Sequence, residues 1–271
     1  MSLRRIWAVT LNVFREVIRD RILYVIGFFA LVMVVALRLL PDLAAAQEAK
    51  ISVDFGLATI NIIGVLVAIF VGTNLVSKEI EKKTILVLIP KPISRWEFIL
   101  GKHLGLSAVM AVLIASMTII YLILLSFYNI SYPLGNILLA VVYLFFQVSL
   151  IVAVAILFGV FTSPLLGILL SVGIYLTGNY TRDLVEVGKL SQNPQLESIA
   201  QALYVILPDL SRLDIKNTAV YGILPSVGNI FTDGLYGIIY TLLLLAIATI
   251  IFLAANFKIF ILPVSSNTLE Q

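Results

Sequence analysis

The chain has 271 residues, of which 61% are hydrophobic and 12% charged, with a mean hydropathy of +1.10. Soluble domains carry about 45–50% apolar and about 25% charged residues, so this balance belongs to a membrane protein. A net charge of +3 gives no reason to expect nucleic acid, and zero cysteines with one histidine, His103, exclude disulfides, zinc–thiolate sites, cysteine nucleophiles and multi-histidine metal centres.

At the N-terminus, Leu3, Ile6, Trp7, Leu11, Phe14, Val17 and Ile18 recur at three- and four-residue steps, with Arg4, Arg5, Asn12, Arg15, Glu16 and Arg19 between them. The spacing predicts an amphipathic helix over 1–21 lying in the membrane interface, with its arginines near anionic headgroups. Arg4 and Arg5, an apolar run and Ala44-Ala45-Ala46 also fit a signal peptide, but with a charged region of unusual length, so the helix is the preferred reading.

A spanning helix needs about 20 mostly apolar residues. Candidates follow at 22–40, interrupted by Arg38, and at 55–77, which is uncharged. From Leu104 to Thr181 no charge occurs in 78 residues. Breaker clusters at Tyr128–Pro133 and Thr162-Ser163-Pro164 divide this run into spans at 104–127, 136–161 and 165–181. A last span covers 234–257, giving six. No run alternates in the manner of barrel strands, so the expected fold is all-α. With the N-terminus inside, the inner segments hold 12 Lys and Arg and the outer ones 6, which predicts both termini inside.

Between the second and third spans lies a segment unlike the rest. Residues 78–102 carry nine charges, around the apolar run Thr84–Pro90. Charges cost roughly 2.5–3.5 kcal/mol each at the bilayer centre, so the segment must lie in water, on the inner side. Ser94-Arg95-Trp96-Glu97 is a capping box behind Pro92 and predicts a helix starting at Arg95 and ending near Phe127. Such a helix is about 50 Å long and overshoots the ~30 Å hydrocarbon layer by about two turns. Ile85, Leu86, Val87, Leu88 and Ile89 form an exposed apolar patch ringed by charge, suited either to a docking partner or to the lipid headgroups.

Lys78-Glu79-x-Glu81-x-x-Thr84, Leu86-x-Leu88, Pro92-x-Ser94-Arg95-x-Glu97 and Leu100-Gly101-Lys102 resemble the permease subunits of type-2 ABC exporters. The six-span plan extends the resemblance over the whole chain. Lys83 stands where glycine is common in that family and Pro90 adds a second proline, which suggests a stiffer, more basic turn. The resemblance implies that this segment is a coupling helix docked on a separate ATPase subunit, with Glu79, Glu81, Thr84, Ile85, Leu86, Leu88, Ile89, Arg95 and Glu97 as contact candidates. Arg4, Arg5 and Trp7 of the interfacial helix are secondary candidates. It also implies a second permease copy, and ATP with magnesium held by the partner rather than by this chain.

No G-x-x-x-x-G-K-[ST] loop occurs, so the amide cradle for ATP phosphates is missing from this chain. No carboxylate, Lys or Arg sits mid-span, which disfavours ion-coupled transport, and H-E-x-x-H is absent, which disfavours intramembrane hydrolysis. A channel or a membrane-embedded assembly factor without ATP coupling is the alternative reading. Asn61, Asn74, Gln147 and Asn179 are candidate path-lining positions, although bonding between helices is the commoner use of such residues. The stretch 182–233 reads as an outer loop with an interrupted amphipathic pattern, which the resemblance would make an extracellular gate. The expected location is a prokaryotic plasma membrane.

Overall fold

A computed structural model describes the backbone of residues 3–19, 22–43, 47–81, 94–191, 193–222 and 225–261, and their side chains except those of 41–43, 78–81 and 255–261. Among the described residues the chain is helical and contains no strand. The helices are α1 (Leu3–Arg19), α2 (Ile22–Leu43), α3 (Glu48–Glu81), α4 (Arg95–Phe127), α5 (Leu134–Phe161), α6 (Pro164–Asn179), α7 (Thr181–Leu190), α8 (Pro194–Ile206), α9 (Lys216–Tyr221) and α10 (Val227–Ile261), with a 3-10 turn at Leu210–Leu213. Within lipid a helix satisfies its own backbone. Hydroxyls do the same locally: Thr59, Ser116, Thr118, Ser171, Thr241 and Thr249 each donate to the carbonyl four residues back, which makes them compatible with an apolar surround.

Among the described residues five helices, α2, α3, α4, α5 and α10, are long and apolar enough to cross a membrane. α4 begins and ends where the capping box and Tyr128 predict. α3 and α10 start earlier than the apolar runs alone indicate, at Glu48 and Val227, because a helix does not stop where hydropathy falls. α6 differs from the rest. It has 16 residues, about 24 Å, and falls short of the hydrocarbon thickness. Its last residue, Asn179, bonds to Gln147, which lies near the middle of α5.

α5 is the central helix, packed on α3, α4, α6 and α10. Lipid supplies little apolar drive between helices, so close approach depends on small residues. At the α3–α5 crossing a Cβ on Gly72 would lie 2.9 Å from that of Ala155, and one on Gly159 would lie 2.9 Å from the Thr73 carbonyl oxygen. The Ser77 hydroxyl donates to the Gly159 carbonyl across the same contact (3.1 Å). At the other end of α3, the buried Tyr121 ring of α4 fills the space above Gly56, and its hydroxyl donates to the carbonyls of Ser52 and Val53.

These pairings define two ends of the bundle. α1 and the ends of α3, α4, α5 and α10 marked by Ser77, Arg95, Phe161 and Phe252 lie at one end. The 128–133 turn, α9 and the start of α10 lie at the other. The 182–233 stretch is more than a surface loop. Leu210, Leu213, Ile215 and Ala219 are buried in the main core, and α9 packs on both α3 and α5. Its carbonyl at Ala219 accepts from Asn136 Nδ2 of α5 (3.4 Å). Gly222 then ends α9 in the left-handed region, with φ of 72°.

Candidate functional site at the α1 end and the far-end knot

The N-terminus of α4 is built as the capping box requires. The Ser94 backbone N–H donates to Glu97 Oε2 at 3.1 Å, and Glu97 is only 3% exposed. Arg95, one residue into the helix, turns towards α10. Its Nη1 donates to the carbonyls of Leu253 (3.1 Å) and Phe252 (3.5 Å). Phe98 stacks on Phe252 with ring centroids 5.8 Å apart, and Lys102 Nζ lies 5.4 Å from the centre of the Phe98 ring. Arg95 and Glu97 therefore act first on the chain's own framework, joining α4 to α10 and fixing where α4 begins.

α1 packs along the same end of α4. Its buried line is Ile6, Thr10, Val13 and Val17. The fit depends on two glycines of α4: a Cβ on Gly101 would meet Val9 Cβ at 2.8 Å, and one on Gly105 would meet Val13 Cβ at 2.7 Å and the Thr10 carbonyl oxygen at 2.8 Å. Thr10 Oγ1 donates to the Gly101 carbonyl at 3.3 Å. The amphipathic helix thus serves two surroundings. One edge of its apolar stripe is buried on α4, while Leu3, Trp7, Arg4 and Arg5 are exposed.

The backbone of Glu79 and Glu81 ends α3 as helix, but their side chains lie outside the described ones. Thr84, Ile85, Leu86, Leu88 and Ile89 lie outside the described residues altogether. The flanks of that segment, the end of α3 and the start of α4, belong to the same end of the bundle as α1.

The polar span residues fall into three situations. Gln147 Nε2 donates to Asn179 Oδ1 at 3.0 Å, and Asn179 Nδ2 donates to the Tyr175 carbonyl, so this pair joins α5 to α6. Asn74 Nδ2 donates to the Phe70 carbonyl of its own helix. Asn61 is fully buried, and neither of its amide atoms has a hydrogen-bond partner among the described residues.

A second constellation, at the far end, escapes the sequence. Asp209 is 3% exposed and accepts from Arg182 Nε (2.9 Å) and Arg212 Nε (3.1 Å) on one carboxylate oxygen. Ser211 and Thr181 donate to the other. Its backbone N–H donates to the Tyr236 hydroxyl of α10 (2.8 Å), and Arg212 reaches Tyr204 of α8 and Asp233 of α10. Burial would raise the Asp209 pKa, but the Ser211 hydroxyl and the two guanidiniums outweigh it and hold the carboxyl below its ordinary value. The Asp209 carboxylate thereby joins α7 to the 3-10 turn, while its backbone N–H and Arg212 carry the link on to α10 and α8. The Asp209-x-x-Arg212 spacing hints at a local pair, but nothing local links either residue to Arg182.

A bundle of apolar helices around a central α5, with a charged segment at the α1 end, defines a multi-pass membrane protein. Residues 7–257 match the model for the ABC-2 family transporter proteins, and the chain belongs to that family. It is accordingly a membrane permease of an ABC transporter. No curated protein matches the chain.

Proposed function

We propose that the chain is the membrane half of an ATP-driven exporter. A separate ATPase subunit binds ATP and magnesium, and a second permease copy completes the path. In this reading six helices cross the membrane, α6 being the short one, and both termini lie in the cytoplasm of a prokaryotic cell. ATP-driven approach of the two ATPases pushes on residues 78–93. The observation that carries the proposal is the linkage at the α1 end: Arg95, Phe98, Gly101 and Gly105 tie α4 to both α10 and α1 right beside that segment. A push on the start of α4 is then shared by three helices instead of bending one.

Leu88→Asp tests the docking. The variant is expected to insert normally but to lose ATPase co-purification and nucleotide-driven transport by at least about tenfold, since a charge in a buried apolar contact costs several kcal/mol. Full coupled activity in Leu88→Asp, or substrate flux through vesicles of the purified chain without nucleotide, would overturn the reading. Orientation has its own test. A cysteine placed at position 91 is expected to react with a membrane-impermeant maleimide only from the cytoplasmic side; labelling of intact cells from outside would reverse the topology.

A further inference from the structure

The outward side of α1 carries a feature that coupling to an ATPase does not use. Between α1 and the base of α2 lies an open cleft of about 1020 Å³. Arg15, Arg19 and Glu16 form its polar wall, while Phe14, Leu23 and Tyr24 form its apolar one. Arg15 and Arg19 sit one helical turn apart, so their guanidiniums can converge on a single group. Both are exposed, and neither has an ion pair or hydrogen bond among the described residues. Leu23 and Tyr24 are each 78% exposed, at the point where the apolar run of α2 begins.

We propose that this cleft is a binding site for one anionic phospholipid, with the headgroup phosphate on Arg15 and Arg19 and the upper acyl chain along Leu23 and Tyr24. Three observations select this occupant. Among the described lining residues two guanidiniums against one carboxylate favour an anion, and the guanidinium fork matches phosphate geometry. The apolar wall would stay wet if inorganic phosphate alone were bound, whereas a diacyl lipid covers both walls at once. The charged lining residues all come from α1, and the cleft runs on to Leu23 and Tyr24 where the apolar run of α2 begins, the depth at which a lipid changes from headgroup to chain. The opposite edge of α1 is seated on Gly101 and Gly105, so an occupied cleft also braces α1 against α4.

The test uses the full-length purified chain in neutral detergent, without any ATPase, so that its outcome is independent of the exporter reading. Phosphatidylglycerol, phosphatidylcholine and inorganic phosphate are added separately, and bound lipid is counted by native mass spectrometry alongside the melting temperature. One phosphatidylglycerol is expected to be retained and to raise the melting temperature, while phosphatidylcholine and inorganic phosphate do neither. Arg15→Gln with Arg19→Gln is expected to weaken retention about 30-fold, from about a factor of five for each basic residue near an anionic group. Arg4→Gln with Arg5→Gln removes the same charge elsewhere on α1 and is expected to leave retention within about twofold. Both variants alter exposed residues, and an unchanged elution volume confirms that they fold. Equal losses in the two variants, equal retention of both lipids, or competition by millimolar inorganic phosphate would each overturn the site.

Discussion

Gly105→Leu is expected to detach α1 from α4 and to uncouple the transporter. The new Cβ would start 2.7 Å from Val13 Cβ and 2.8 Å from the Thr10 carbonyl oxygen, and the second of these is backbone that cannot rotate aside. Overpacking of this kind costs about 1–3 kcal/mol even when the neighbours move, and a leucine adds three further heavy atoms. α1 has a cheaper response than straining the bundle, because its Leu3, Trp7 and arginine side is already suited to the interface: it can lift off. Nucleotide-driven transport should then fall at least about tenfold while the other helices stay assembled, since a misplacement of about 1 Å at a mechanically coupled contact is enough for a loss of that size or more. Crosslinking between cysteines at positions 9 and 101 reports the separation directly. Gly27→Ala is the matched control. Nothing lies within 4 Å of a Cβ at Gly27, so the change disturbs no packing, adds at most about 1 kcal/mol of helix propensity and should leave transport unaltered. If Gly105→Leu keeps both the crosslink and full transport, the α1–α4 contact is not part of the coupling path.

Asp209→Ala is the second large effect, at the opposite end. Removing one partner of a buried ion pair typically costs 3–5 kcal/mol. Here Arg182 and Arg212 are 52% and 34% exposed and water recovers part of that loss, so about 2 kcal/mol is the expected destabilisation. The structural consequence is local. α7 loses its tie to the 3-10 turn, and Arg212 loses the carboxylate that holds it against Tyr204 of α8 and Asp233 of α10, so protease cleavage between positions 190 and 194 should accelerate several-fold. An unchanged cleavage rate would mean that packing of Gly188 against Ala200 and of Gly178 against Leu210 holds these helices without the carboxylate. The pH dependence has a definite sign. The folded-state pKa of Asp209 lies below the ordinary 3.8, so its contribution is complete above that value and is lost as pH falls through the lower one. Wild type should therefore show the rapid cleavage of Asp209→Ala only in strong acid, and an onset near neutrality would assign the effect to another group.

The two ends of the molecule differed in how legible they were. At the α1 end the sequence is explicit. Ser94 and Glu97 announce the start of α4, and the stripe from Leu3 to Ile18 announces α1. Arg95 was the exception. Read as a surface contact, it donates to carbonyls of α10 some 157 residues away, a pairing that no local pattern encodes. At the far end almost nothing local was informative. The stretch 182–233 reads as an amphipathic loop, yet Leu210, Leu213 and Ala219 are core residues and Asp209 is a junction for three elements.

Membrane class, the positions of the apolar helices and the capping box that starts α4 are properties of short windows, and the sequence by itself determined them. Hydropathy is a solvent preference and capping is a bond within one turn, so neither needs a partner elsewhere in the chain. The tertiary structure decided the rest. The uncharged run from Leu165 to Thr181 marks α6 as an apolar helix but does not show that Asn179 at its end meets Gln147 of α5. Gly101 and Gly105 look like any small-residue pair until Val9 and Val13 are seen to fill them. Between apolar helices in lipid there is little hydrophobic drive to choose partners, so shape at a few glycines and the pairing of a few polar atoms set the arrangement. Those choices lie tens of residues apart in the chain, and only the folded protein brings them into contact.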